Sequence, residues 1–209
     1  MNRRDHWDRA YHEKGPQGVS WFQPRPGVSL ELIGQSGADR QSGVIDVGGG
    51  ASNLVDHLLD AGYTSLAVLD VSPRAMSEAQ SRLGRRAAEV QWIESDVTTF
   101  VPSRRFGVWH DRAVFHFLTE PGDRQKYVAA LRQAVLPGGA AIIATFAPDG
   151  PARCSGLEVV RYDESLMCSE LGPGFALQAV RREAHRTPWG AEQRFAYFLL
   201  RYSPPGSAG

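Results

Sequence analysis

The apolar positions of the chain follow two periods that alternate along most of its length. Short consecutive apolar runs are typical of strands buried on both faces. Five such runs occur, "GVIDV", "SLAVLD", "VQWIES", "FGVWHD" and "AAIIATF". Between them apolar residues recur every three or four positions, as in Leu54, Val55, Leu58 and Leu59, which indicates amphipathic helices. Strands that alternate with helices predict an α/β fold, with a doubly wound, mostly parallel sheet and helices on both faces.

The two ends of the chain depart from this alternation. Near the C-terminus, "FALQAVRREAHRT" and "EQRFAYFLLRY" are strand-like runs joined by "PWGA", which predicts an antiparallel hairpin and a seven-stranded sheet. Near the N-terminus, the stretch up to Gln41 predicts one or two helices around the loop "GPQGVSWFQPRPG". We therefore expect a helical cap or lid over 1–41, a ligand-binding domain over 42–202 and a flexible tail over 203–209.

Composition narrows the function classes. The chain has 209 residues, 42% of them hydrophobic, which suits one globular domain with a substantial core. Basic and acidic residues number 23 each, so no net field favours nucleic acid or an anionic membrane. Two cysteines are too few for a disulfide framework, and the histidines and cysteines show no metal-binding spacing. With a charged N-terminal stretch that lacks an apolar core, these features predict a cytoplasmic protein with no metal.

The stretch "VIDVGGGASNL" contains the clearest candidate for a binding loop. It places three glycines at the end of the first strand, where the backbone N–H groups that open a helix can receive a ligand. The dinucleotide fingerprint needs a third glycine where this chain has Asn53. In addition, Asp46 would repel a pyrophosphate. The loop therefore favours a ligand with a cationic or neutral centre.

Asp46-Val-Gly48-Gly-Gly50 resembles motif I of the class I methyltransferases that use S-adenosylmethionine (SAM). The resemblance covers most of the chain, and it implies SAM as cofactor and S-adenosylhomocysteine (SAH) as product. By the same resemblance, Asp70 at the end of the second strand would bind the ribose, and Asp96 after the third strand would lie near the adenine. The implied cofactor contacts are Asp46, Gly48, Gly49, Gly50, Asp70, Val71, Asp96, Val97 and Asp111.

Methyl transfer is an in-line displacement, so positioning and exclusion of water can supply most of the acceleration without an obligatory triad. A base matters only where the acceptor must lose a proton. The candidate catalytic residues are Asp111, Arg112 and His116, in "WHDRAVFHFL" at the end of the fourth strand. His116 would titrate in the useful range, or it would only pack between Phe115 and Phe117. Arg112 would bind an anionic group of the substrate or form an ion pair with Asp111.

Two further segments are candidates for the acceptor side. The loop "APDGPARCSGLEVVRYD" is longer than a minimal connection, which suggests a binding role for Cys154, Arg161 and Tyr162, although the last two could instead begin an edge strand. The N-terminal aromatic residues Trp21 and Phe22, together with Tyr11, would form a lid or ordinary core contacts. The candidate substrate-binding residues are Trp21, Phe22, Arg112, His116, Cys154, Arg161 and Tyr162.

Within the family, the chain is similar to small methyltransferases related to the lysine methyltransferases of elongation factors, and also to thiol- and metalloid-methylating enzymes. The former carry Asp-Lys-Gly-Thr where this chain has Asp111-Arg-Ala-Val114, which weakens the case for a protein lysine. The sequence favours a SAM-dependent methyltransferase with a small-molecule acceptor. The alternatives are a protein-lysine N-methyltransferase, a non-catalytic SAM-binding module and an NAD-dependent oxidoreductase. The oligomeric state is left open.

Overall fold

The chain folds in the order that its sequence predicts, with two helices first, then strands and helices in alternation, then a hairpin. The computed structural model describes residues 2–204 and 206. Its helices and strands are α1 (Arg3–Lys14), α2 (Gly27–Gln35), β1 (Val44–Val47), α3 (Leu54–Asp60), β2 (Leu66–Asp70), α4 (Pro73–Leu83), β3 (Val90–Glu94), β4 (Phe106–Arg112), α5 (Pro121–Ala134), β5 (Val135–Phe146), β6 (Arg153–Cys154), β7 (Leu157–Glu158), α6 (Glu164–Leu171), β8 (Phe175–Arg186) and β9 (Glu192–Tyr202).

Seven strands form one sheet in the order β3-β2-β1-β4-β5-β9-β8. The first five run parallel, β9 is antiparallel to β5, and β8 is antiparallel to β9. The predicted fold class is therefore confirmed. The order reverses between β1 and β4, which creates the switch point where open α/β sheets bind their ligands, beyond the carboxyl ends of the strands.

The core lies on both faces of this sheet because successive strand residues point to opposite sides. On β1, Val44 belongs to the cluster packed against α2 and α3, whereas Ile45 and Val47 belong to the cluster packed against α5 and α6. Asp46 points to the same side as Val44, so its carboxylate is buried beneath the helical cap and the loop that follows β1. A buried carboxylate needs hydrogen-bond partners in place of water, so Asp46 requires polar groups beside it.

Local signals set the helix ends close to the predicted positions. The Ser72 hydroxyl accepts the Ala75 N–H at the start of α4, and Pro73 occupies the first helical position. Asp163 caps α6 in the same way by accepting the Leu166 N–H at 2.8 Å. Caps of this kind stabilise a helix by about 1 kcal/mol each, which is why short polar residues ahead of apolar periods mark helix starts reliably.

The structure differs from the sequence-based picture in two elements. The fifth strand begins at Val135 rather than at Ala140, because the residues that follow α5 already pair with β4 at Phe106. The loop after β5 also contains a small hairpin, β6–β7, which no hydrophobic period announces. Residues 205 and 207–209 of the predicted tail lie outside the described residues. Within the described residues, no helix is long and apolar enough to cross a membrane.

Candidate active site

A cavity opens at the carboxyl ends of the parallel strands, beneath α1 and the segment that joins α1 to α2. We call it the main cavity. Of the residues proposed from the sequence, those that line it are Trp21, Gly48, Asp70, Val71, Asp96, Val97, Arg112 and Cys154. A smaller adjoining cavity shares Trp21, Gly48 and Arg112 with it, and is also lined by Phe22, Asp46 and Gly49. The structure thus brings together residues from six separate segments of the chain.

The glycines of the loop after β1 leave room for two carboxylates. A Cβ on Gly49 would come within 2.6 Å of Asp46 Oδ2, and a Cβ on Gly50 within 2.7 Å of Asp70 Oδ2. Both distances are shorter than a real Cβ contact, so any larger residue would displace the acid beside it. The repeated glycine therefore lets the loop lie directly against the two acids, while the Gly48 N–H donates to the Leu69 carbonyl at 2.7 Å.

Asp70, at the end of β2, retains capacity for a ligand. Its Oδ1 accepts the Ser72 N–H at 2.8 Å, while Oδ2 lies beside Gly50 and the residue lines the main cavity. Burial raises the pKa of Asp70 to about 7, and the neighbouring carboxylates of Asp46 and Asp8 add to this rise. A carboxylate with free lone pairs in a partly dry site suits a pair of vicinal hydroxyls, because each hydroxyl can donate to it.

Asp96, after β3, is held in place by other groups of the protein. Its Oδ1 accepts the Thr98 N–H at 2.8 Å and the Thr98 hydroxyl at 2.7 Å, and its Oδ2 accepts from the Arg3 guanidinium at 2.9 Å. Arg3 also contacts Asp123 at the start of α5. Burial opposes the effect, but the bonds from Thr98 and Arg3 lower the pKa of Asp96. Asp96 therefore anchors α1 over the cavity as well as lining it.

Asp46 has a buried partner that the sequence analysis did not identify. His110 on β4 is its register neighbour, and His110 Nδ1 lies 2.7 Å from Asp46 Oδ1. His110 Nε2 lies 2.8 Å from the hydroxyl of Ser29 on α2. All three residues are buried. The imidazole thus links the carboxylate of the loop to the cap and leaves Asp46 Oδ2 directed at Gly49.

Asp111 fixes the backbone of the loop that follows β4, and this loop lines the main cavity. It is fully buried and accepts the N–H groups of Val114 and Phe115 and the hydroxyl of Tyr127, at 2.6 to 3.1 Å. Burial raises its pKa to about 6 despite these bonds. The loop that it fixes includes Ala113, with φ of 71°, and this loop lines the main cavity. Asp111 itself is absent from the described lining, so the geometry makes it a positioning residue.

Arg112 differs from the prediction of an ion pair with Asp111, because adjacent strand residues point to opposite faces. Its Nε donates to the Tyr197 hydroxyl at 2.8 Å, and its Nη1 donates to the Trp21 carbonyl at 3.0 Å. Its Nη2 lies 3.7 Å from Glu183 and makes no hydrogen bond within the described residues. Arg112 therefore ties the cap to β8 and β9 and keeps a buried positive charge beside the main cavity.

His116 lies outside the main cavity in the described structure. It is fully buried among the rings of Phe117 and Phe146, and its Nδ1 accepts the Phe146 N–H at 3.3 Å. Burial, together with the nearby Arg112 charge, lowers its pKa to about 3. A neutral imidazole without access to the ligand cannot take a proton from the acceptor. The geometry therefore supports the packing role that the sequence left as the alternative.

The cap covers the main cavity with aromatic rings. Trp7 and Trp21 meet edge to face with centroids 5.5 Å apart, and Trp7 meets Phe117 in the same way at 4.9 Å. The Trp21 indole N–H donates to the Tyr11 hydroxyl at 3.1 Å. These contacts also involve Trp7 and Phe117, which the sequence analysis had not placed there, and the role of the segment as a lid stays a prediction.

The three residues proposed from the loop after β5 separate in the structure. Cys154 is buried and lines the main cavity, with its Sγ 3.9 Å from the Ser20 hydroxyl. Arg161 is exposed and donates to the carbonyl of Pro148, so it braces the loop. Tyr162 is fully buried against the Phe115 ring at 5.2 Å and belongs to the core. Neither Arg161 nor Tyr162 lines a cavity beside the glycine loop.

The histidines, cysteines and acids of the described chain are dispersed with respect to metal binding. Across the part of the chain that the structure describes, no group of three or more His, Cys, Asp or Glu side chains is placed to hold a metal ion. Cys154 and Cys168 are both free thiols. The described lining of the main cavity contains carboxylates, the guanidiniums of Arg3 and Arg112, the Cys154 thiol and aromatic rings.

Comparison with known proteins identifies this arrangement. Residues 44–139 match the family model described as a methyltransferase domain. Among curated proteins, the eEF1A lysine and N-terminal methyltransferase of Bos taurus is 26% identical over 111 residues, which is 52% of this chain and 15% of that protein. The chain thus spans less than a sixth of the length of this relative.

Two solved structures share the whole fold. One is described by the conversion of a disulfide bond into a thioacetal group during echinomycin biosynthesis. It has a TM-score of 0.78 at 18% identity, and the match covers 99% of this chain and 94% of that chain. The other, the N-methyltransferase NodS of Bradyrhizobium japonicum WM9 with SAH, has a TM-score of 0.75 at 19% identity, and covers 96% and 100%. The predicted family resemblance and its cofactor are confirmed.

Proposed function

Because residues 44–139 form a methyltransferase domain of the class I fold, we propose that the chain transfers a methyl group from SAM to a small-molecule acceptor. Asp70 carries this proposal most directly, since it is a cavity-lining carboxylate with remaining acceptor capacity at the end of β2. Bound SAM would supply an activated methyl group on its sulfonium. The ribose would lie against Asp70, and the adenine between Val71 and Val97.

The amino-acid end of the cofactor would lie over the glycine loop. Asp46 Oδ2 is the anionic group there, and His110 holds the other oxygen of the same carboxylate. The cofactor's ammonium would therefore meet Asp46, with His110 acting as a positioning residue. This assignment also accounts for a buried acid in the middle of an otherwise apolar strand.

The groups at the site limit the acceptor to nucleophiles that need no base. Among the described lining of the main cavity, the ionisable groups are Arg3, Tyr11, Asp70, Asp96, Arg112 and Cys154. Asp70 would be occupied by the ribose hydroxyls, Asp96 is engaged by Arg3, and burial raises the pKa of both the Tyr11 hydroxyl and the Cys154 thiol. A thiolate, or a nitrogen with a free lone pair at neutral pH, fits this site.

The acceptor's lone pair would attack the methyl carbon in line with the S–C bond, and the electrons of that bond would remain on sulfur. A lysine ammonium, whose usual pKa lies near 10.4, has no lone pair with which to attack until it loses a proton, so it fits a site without a base less well. Exclusion of water by the aromatic cap protects this step. A protein lysine, the acceptor class of the curated relative, stands as the second candidate.

Calorimetry with SAM, SAH and NADH tests the proposal. We expect SAM and SAH to bind and NADH not to bind, because the side chain of Asn53 donates to the Gln23 carbonyl at 3.0 Å and fills the place of the third fingerprint glycine. Binding of NADH alone would contradict the proposal in favour of an oxidoreductase. Release of SAH in the presence of thiols, but not of lysine peptides, would select the small-molecule acceptor.

Two further proposals concern the cellular location of the protein and the roles of its two segments. The free thiols of Cys154 and Cys168 fit a reducing compartment, so we propose a cytoplasmic location. The segments 1–41 and 42–202 are proposed to act as cap and catalytic domain, with α1 and α2 as the part that closes over the cofactor.

A further inference from the structure

A polar groove lies on the outer side of Cys154, between α1, the β6–β7 hairpin and the turn that joins β8 to β9. We call it the outer groove. Its volume is about 630 Å³, which lies within the range of small-molecule sites. Cys154 lines both the outer groove and the main cavity, and Ser20 lies beside it. One layer of small side chains therefore separates the two spaces.

The charges of the outer groove are unbalanced in favour of cations. Arg9, Lys14 and Arg153 line it, and none of them forms an ion pair with any residue that the structure describes. The lining contains two acids. Glu192 accepts from Arg194 at 3.0 Å, which leaves Glu13 as the acid that faces the three cations. A ligand that brings a negative charge would complete this set.

Two buried polar atoms of the outer groove lack partners. Gln193 is only 9% exposed, and its Oε1 makes no hydrogen bond within the described chain. His6 Nε2 is likewise buried and makes no hydrogen bond within the described chain. An unpaired buried polar group costs about 1–3 kcal/mol, so the Gln193 oxygen favours a ligand that can donate a hydrogen bond to it, while His6 Nε2 can donate or accept according to its tautomer. The site thus calls for an anion and a donor on one molecule.

An aromatic ring borders the same groove. Trp189 is 59% exposed in the β8–β9 turn, and Lys14 Nζ lies 5.9 Å from its ring centroid. An exposed indole beside a cation offers a flat ligand both a stacking surface and a charge partner.

We propose that the outer groove binds the methyl acceptor, as a small molecule that carries a carboxylate and a hydrogen-bond donor, and directs its nucleophile past Cys154 into the main cavity. This inference rests on the proposed function. It adds no chemical step, since the groove binds and orients while the transfer occurs beyond Cys154. The same cations would repel a lysine side chain.

The test uses three probes of matched shape and different charge, namely benzoate, benzamide and benzylamine, each carrying a 3-hydroxyl group that supplies the hydrogen-bond donor. Each is titrated into the SAH-saturated full chain, followed by calorimetry and tryptophan fluorescence. We expect benzoate to bind about three- to tenfold more tightly than benzamide, with benzylamine weakest, and added salt to reduce the difference. Equal binding of benzoate and benzamide, preference for benzylamine, or no binding by any probe overturns the proposal.

Charge reversals locate the site. Arg153→Glu and Lys14→Glu should each remove the preference for benzoate and leave SAH affinity within about twofold. Arg74→Glu is the matched control, because Arg74 is exposed on α4 and lines none of these cavities. Benzoate binding that survives Arg153→Glu unchanged places the anion elsewhere and overturns the proposal. Absence of SAH binding in the unaltered protein would instead refute the proposed function.

Discussion

The two sides of the main cavity differ in what holds them in shape. The strand side presents carboxylates, each fixed by hydrogen bonds at the end of a parallel strand, as with Asp70 and Ser72. The cap side presents rings from α1 and the following loop, fixed mainly by packing, as with Trp7 and Trp21. Directional bonds suit recognition of one defined molecule, whereas packed rings exclude water from many. The cofactor should therefore depend on the strand side and tolerate change in the cap.

The largest effect is expected at Asp70. Asp70→Ala would leave the ribose hydroxyls without their acceptor and weaken SAH binding by about 1.5–3 kcal/mol, or roughly 10- to 150-fold. Calorimetry measures this directly. Asp96→Ala serves as the comparison, because Asp96 is already engaged by Arg3 and Thr98 and should cost less. Unchanged SAH affinity in Asp70→Ala would remove Asp70 from the site.

His110→Ala tests whether the strand side extends to the amino-acid end of the cofactor. Loss of the bond to Asp46 should weaken SAH binding by about 1–2 kcal/mol, or roughly 5- to 30-fold. The matched ligand is 5′-methylthioadenosine, which lacks the amino-acid part and should lose less than about twofold. Equal losses for both ligands would show that His110 only stabilises the fold.

The pH dependence of binding probes Asp70 without altering the fold. With its pKa raised to about 7, this carboxyl is mostly protonated at pH 6 and mostly ionised at pH 8. The ionised form is the better acceptor, so SAH affinity should rise between these values, by at most about tenfold, the rise in the ionised fraction. Asp70→Asn should flatten the profile. A slope that persists in Asp70→Asn would assign the titration to another group.

The smallest effect on the cofactor is expected from the cap. Trp21→Ala removes edge-to-face contacts and the bond to Tyr11, so it should lower the free energy of unfolding by about 2 kcal/mol. SAH affinity should change by less than about threefold, measured beside a denaturant titration. A loss as large as that of Asp70→Ala would erase the distinction between the two sides.

The fold and the positions of the strand-end acids were predictable because both depend on local sequence. Apolar runs mark the strands, and Asp70 follows its run directly, so its place at the sheet edge needs no knowledge of distant contacts. The pairing of Asp46 with His110 depends on the register of two strands separated by 64 positions. Periodicity does not fix that register.

The cap shows the same limit more strongly. The contact of Arg3 with Asp96 joins residues 93 positions apart, and α1 is mostly polar, so no apolar stripe reveals which face it turns to the cavity. His116 left two interpretations open. Its residue type suggested acid–base chemistry and the flanking Phe115 and Phe117 suggested packing, and its full burial against the Phe146 ring favours the second.

The cap makes hydrogen bonds to the two carboxylates, Asp96 and Asp46, that are proposed to contact the cofactor. Arg3 holds Asp96, and Ser29 holds Asp46 through His110. On the proposed assignment, docking of the cap and binding of the cofactor share these groups, so by reciprocity each must change the free energy of the other by the same amount. A molecule that separates α1 from Asp96 would then act on cofactor binding without occupying the cofactor site.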